Sequence, residues 1–214
     1  MSSLATVSTA VRKDLHDEDS AAYRWTDAVL QRHIERAVLE YSQISPLEQK
    51  STLVTVAGTR DISISTLTPR LRVSHVEWPT LQYPPQFVPF TLWGDTLTLD
   101  VVSAPTAIEN FFVFWHKVHA INGSVTFPST HDDIIATGAA AYAALDWASF
   151  ASNRVNVGGD NVWGKYMDFA NVRLTEFQRM LRDLLPAANT LRTGTLYTPA
   201  VERLRSQTTD PGPV

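Results

Sequence analysis

The sequence contains no cysteine. That excludes disulfides, thiolate zinc sites and cysteine nucleophiles together. It contains no run of about 18 apolar residues, so no membrane-spanning helix is expected. Charge is sparse, with 19% of residues charged against about 25% in an ordinary soluble domain. A deficit of that kind points to surface covered by partners. Lysine is scarce, 4 residues against 14 arginines. Arginine suits planar, two-pronged contacts at protein interfaces better than lysine does. No long basic run occurs and the formal net charge is −4. A chain that grips the nucleic-acid backbone normally carries a basic footprint, so tight direct binding of DNA or RNA is disfavoured. The first residues lack a basic segment followed by an apolar core, so no secretory leader is expected. The expectation is a soluble protein made in a cytoplasm.

The 214 residues suffice for one domain with a sizeable core, or for a domain carrying a large insertion. No internal repeat or low-complexity tract interrupts them. The pattern runs helices, strands, helices, tail.

Leu4, Val7, Val11 and Leu15 share one face at helical spacing, and Ser3 can cap a helix over 3–15. His16 to Ser20 is an acidic break. Thr26 and Asp27 open a second helix, which runs to about Gln43 before Pro46. Leu30, Ile34, Ala37, Val38 and Tyr41 form its apolar stripe. From Thr52 to about Ile121 the period becomes strand-like. Thr52–Val56 and Asp61–Ser65 read as a hairpin, and Leu71–Trp78 as a third strand. Phe90–Trp93 and Thr96–Val101 flank Gly94-Asp95, a second hairpin signal. Asn110–Ile121 is a strongly apolar strand. Prolines at 79, 84, 85 and 89 make the segment before Phe90 a loop or edge. Thr130 to Asp133 resembles a capping box that opens an alanine-rich helix to about Ser152. Asp160 can cap a last helix from Val162 to Leu185, ended by Pro186. Residues 187–214 have little core potential and read as an extended tail.

The fold class expected is therefore α+β. A four-helix bundle-like framework, residues 1–48 and 128–186, is interrupted by a small antiparallel β-sheet or barrel-like unit at 49–127.

Chemistry is poorly represented. Gly158-Gly159 precedes a helix but lacks the Lys-Ser/Thr of a phosphate loop. His116, His119 and His131 with Asp132 and Asp133 could in principle hold a metal, but solvated or half-buried sheet histidines are the simpler reading. The acidic residues 17–19 lack the glycine and distal glutamate of a calcium loop, and read as a solvated turn with helix capping. No Gly-x-Ser-x-Gly elbow occurs. No enzyme activity, cofactor or metal is expected. Six tryptophans stand out. Trp25, Trp115, Trp147 and Trp163 are expected in cores. Trp78 and Trp93 border proline-rich or turn segments and are candidates for contacts between subunits.

Val11-Arg12-Lys13-Asp14-Leu15-His16-Asp17, followed by Tyr23-Arg24-Trp25-Thr26-Asp27, resembles the opening of phage head–tail adaptor (connector) proteins. Those begin with a short helix, an acidic turn, a Tyr-Arg-Trp-Thr/Ser-Asp entry and an amphipathic helix. His131 to Ile135, leading into the alanine-rich helix and a second long helix, is similar too. The β unit resembles the insertion of larger adaptors. The resemblance implies a structural virion protein of the neck or tail, made in the host cytoplasm. It implies a twelve-copy ring bound to the portal and to tail nozzle, stopper or tail-fibre proteins, with DNA passing through its lumen. No membrane partner is implied. Alternatives are a tail-completion or nozzle-binding protein, or a non-viral helical interaction domain. On this reading Trp78 and Trp93, the exposed turn Gly94-Asp95, and Tyr197, Arg203 and Arg205 of the tail are the candidate interface residues. The hairpin is expected to face the next tail component.

Overall fold

The structure, a computed structural model, describes residues 3–122, 125–152 and 161–193, with side chains to 185. It is an α+β protein of four helices and two small antiparallel sheets. Helix α1 spans Leu4–Asp14 and α2 spans Asp27–Ile44. Both are capped as their sequences require: Ser3 accepts from the Thr6 amide, Thr26 from the Val29 amide. A 3₁₀ turn at Ser129–His131 leads into α3, Asp132–Ser152. That entry replaces the expected capping box, because the turn carries no side-chain cap. Helix α4 spans Val162–Thr193. It continues past Pro186, contrary to expectation. A helical proline forfeits one amide hydrogen bond and costs about 3 kcal/mol, but two strong helix formers, Ala187 and Ala188, follow it here. The proposed cap Asp160, the Gly158-Gly159 turn and residues 194–214, with Tyr197, Arg203 and Arg205, lie outside the described residues.

Helix α3 is the centre of the bundle, packed by α1, α2 and α4. Its small side chains explain that position. Ala136, Ala139, Ala140, Ala143 and Ala144 are buried, so three neighbours can approach closely. Gly138 faces Phe177 of α4 so tightly that an added Cβ would lie 2.8 Å from the ring. Val7, Val11, Leu30, Ile34, Tyr41, Phe177 and Leu181 complete this core.

The β unit begins directly after α2. Strands β1 (Leu47–Val54), β6 (Asn110–Lys117) and β3 (Arg70–Glu77) form one sheet in the order β1-β6-β3. Strands β2 (Asp61–Ser63), β5 (Thr96–Leu99) and β4 (Phe90–Trp93) form the other, in the order β2-β5-β4. The expected hairpin of the first two strands does not form. The turn at Gly58 exists, with φ of +80°, but β1 pairs β6 and β2 pairs β5. Local turn chemistry is right and the partner is wrong. The alternating apolar face of β6 is the better mate for β1. Phe111, Val113 and Trp115 of β6 point inward and share a core with Val76, Ile62, Ile64, Leu97 and Leu99. The two sheets thus close on one another over a single apolar layer.

The packing boundary between the units falls near Lys117 rather than at 127. Ile121 and Phe127 belong to the helical core. His119 ties the junction together. Its backbone amide donates to the Ser42 hydroxyl at 3.0 Å, and its Nε2 lies 2.9 Å from the Ser45 carbonyl. A carbonyl can only accept, so Nε2 carries the proton.

Candidate interaction surfaces

Three places carry the residues that the sequence singled out. The first is the segment from Val11 to Asp27. Arg12 is buried and donates to Asp17 Oδ2 at 2.7 Å, to Asp27 Oδ1 at 2.7 Å and to the Trp25 carbonyl at 3.0 Å. Its guanidinium also lies 3.4 Å from the centroid of the Tyr23 ring. Asp17 in turn accepts from the amides of Arg24 and Trp25, at 2.8 and 3.3 Å. The indole of Trp25 donates to the Ala143 carbonyl on α3 at 3.1 Å. Asp17 is therefore not part of a solvated turn, as its acidic neighbours imply. It is buried because Arg12, five residues earlier, neutralises it.

Beside this node runs a groove of about 480 Å³ between the acidic turn and the start of α4. Trp25, Tyr166 and Phe169 supply aromatic walls; Asp19, Ala22 and Arg24 stand along it. The Arg24 guanidinium also lies over the rings of Trp147, at 4.8 Å, and Tyr166, at 5.4 Å. Burial pushes the Asp14 carboxyl at the edge of the groove upward, against the pull of Arg173.

The second place is the β4–β5 hairpin. Trp93 pairs Thr96 across the two-residue turn Gly94-Asp95, with positive φ at Gly94. That is the pattern of a type II′ turn, which needs glycine first. The tip is firmly held. Arg70 donates to the carbonyls of Ile64 and Gly94 and to Asp95 Oδ1, at 3.0, 3.1 and 3.0 Å. The Ile64 amide donates to the Asp95 carbonyl at 2.9 Å. On this fixed tip Trp93 is 88% exposed. Its place in the fold follows from the sheet register. Arg70, Lys117 and Leu47 form one row of the first sheet, and Leu47 lies three residues after the end of α2. The tip therefore sits at the helix-proximal end of the β unit and does not project away from the helices.

The third place is the opposite, distal end. There Val54 pairs Asn110, the Gly58 amide donates to the Pro105 carbonyl, and Arg60 donates to the carbonyls of Val101 and Val102. The loop after Trp78 leaves and returns here, closed by the Trp78 amide on the Gln86 carbonyl. Tyr83 and Val102 are each 98% exposed, and Leu81, Val56 and Ile108 are exposed too. Trp78 is half-buried at this end and donates to Glu109 Oε2 at 3.1 Å. The two suspected tryptophans thus lie at opposite ends of the unit. The sequence reading missed the distal apolar rim, although Leu81 and Tyr83 among the prolines of a loop were a visible signal: apolar residues without strand or helix period.

Of the four expected core tryptophans, Trp25 and Trp115 are buried and Trp147 is half-buried, but Trp163 is half-exposed at the start of α4. The histidines form no metal set; among the described residues no group of three or more candidate ligands comes together. His116 Nδ1 is 2.7 Å from Arg72 Nε, and His131 Nδ1 is 2.7 Å from the Tyr41 hydroxyl, on different units. No protein-family model matches the chain, and no curated protein matches it in sequence.

Proposed function

We propose that the chain is a non-enzymatic structural subunit of a phage neck, an adaptor that assembles as a ring between the portal and the tail. The observation that carries this reading is the distal rim. Leu81, Tyr83, Val56, Val102 and Ile108 are exposed at the distal end of a unit whose own core is already complete. Large apolar patches on a soluble protein mark partner surfaces. A ring subunit needs such a surface for the next component of the particle, and a separate lateral surface for its neighbours. The helical bundle, held at its entry by the Arg12 node, is the ring framework. The resemblance of residues 11–27 and 131–135 to head–tail adaptors supplies the portal as partner and twelve as the copy number. The net charge of −4 suits a lumen that does not retard passing DNA.

Electron microscopy of the purified protein mixed with the portal protein of the same virion tests this. Twelve-fold rings of extra density on the portal are the expected result. No association with portal, or association with a tail protein alone, would overturn the adaptor reading; the second result would favour a tail-completion protein.

A further inference from the structure

An exposed indole, Trp93, and an open aromatic groove beside the Arg12 node lie on one chain. Trp93 is a projecting indole on a turn braced by two hydrogen bonds from Arg70 and one from the Ile64 amide. A side chain presented so rigidly loses little freedom on docking, which is how interface anchors reach high affinity. The groove, at about 480 Å³, admits an indole. Its walls are Trp25, Tyr166 and Phe169, and aromatic rings pack edge-to-face with another ring. Asp19 stands along it with a carboxylate able to accept an indole N–H.

The two features cannot meet within one chain. The groove adjoins the start of α2, next to Trp25, and the Trp93 tip lies near the row of Leu47, beyond the end of α2. Helix α2 is 18 residues long, so about 27 Å separates its ends. A knob at one end and a hole at the other is a head-to-tail arrangement, which propagates around a closed ring or along a filament.

We infer that Trp93 of one copy inserts into the Trp25–Tyr166–Phe169 groove of the next, forming the lateral contact of the assembly. The inference rests on the ring reading above and names its contact. It also places α2 along the circumference of the ring, because the two halves of the contact lie beyond its two ends.

The test uses the full chain alone, without portal or tail proteins. Sedimentation velocity at concentrations up to about 1 mM follows self-association. Trp93→Ala removes the knob, and Ala22→Trp fills the groove from an exposed position. Each variant alone is expected to lose self-association by about thirtyfold or more, as for removal of a central tryptophan anchor. Circular dichroism should show both folded as the wild type. Mixed together, the two variants each keep one intact half, and are expected to form a dimer and nothing larger. A wild-type chain that stays monomeric, a Trp93→Ala variant that assembles normally, or a mixture that yields no dimer would each overturn the contact. Because no portal is present, such failures leave the portal-binding experiment to decide the wider reading.

Discussion

Arg12 and Asp17 form an ion pair of 2.7 Å in which each side chain is 7% exposed. The pair folds the acidic turn back onto α1 and fixes where the chain enters α2. Arg12 reaches three acceptors at once, and lysine, a single point charge, cannot reproduce that fork.

Arg12→Ala leaves Asp17 buried without its cation. The expected loss is about 3–5 kcal/mol of unfolding free energy, because a buried charge stripped of its partner is costly. Arg12→Lys should recover only part of it. Urea unfolding followed by circular dichroism measures both; equal midpoints for wild type and Arg12→Ala would contradict the node.

At Gly138 any Cβ must displace the Phe177 ring, which is fully buried. Gly138→Ala should therefore destabilise by about 1–3 kcal/mol, although alanine favours helix. If the helix preference won, the thermal midpoint would rise instead.

The Arg70 clamp makes a regional prediction. Arg70→Ala removes the donors that Ile64, Gly94 and Asp95 share. Each such bond contributes about 0.5–1.5 kcal/mol. Amide exchange should quicken in β2, β4 and β5 while the helical amides keep their protection. Uniform quickening across both units would show that they unfold as one.

Burial pushes the imidazoles of His33 and His119 below their ordinary range, so the folded state holds them neutral. An unfolded histidine takes up a proton near pH 6.5. Between that value and the depressed folded values the unfolded chain binds more protons, so stability rises with pH there. Unfolding free energy should be level above about pH 7, fall as the pH drops through 6.5, and level again once both folded histidines are protonated. His119→Gln should flatten part of that slope. A pH-independent stability from 7 to 5 would contradict it.

The helices were legible because their signals are local. Ser3 and Thr26 cap as written, and the stripe from Leu30 to Tyr41 is buried as spaced. Strand content was legible too, but not its pairing. Nothing near Thr52 states that its mate is Phe112, sixty residues on. Burial of Asp17 was hidden for a similar reason. It depends on Arg12 across a turn, and sequence spacing alone cannot show two charges facing each other. Trp163 was misjudged because it shares the helical spacing of Tyr166 and Phe177 but sits in the first turn of α4, where it stays 50% exposed.

Leu47 and Lys117 are cross-strand partners, so the β unit leaves and rejoins the bundle at neighbouring points. Directly opposed residues on antiparallel strands sit about 5 Å apart at Cα. A short loop could span that gap. Residues 48–116 in between can thus be lost, gained or exchanged as a cassette while the helical core keeps its shape. Selection can then give the chain a new contact surface without redesigning the scaffold that holds it.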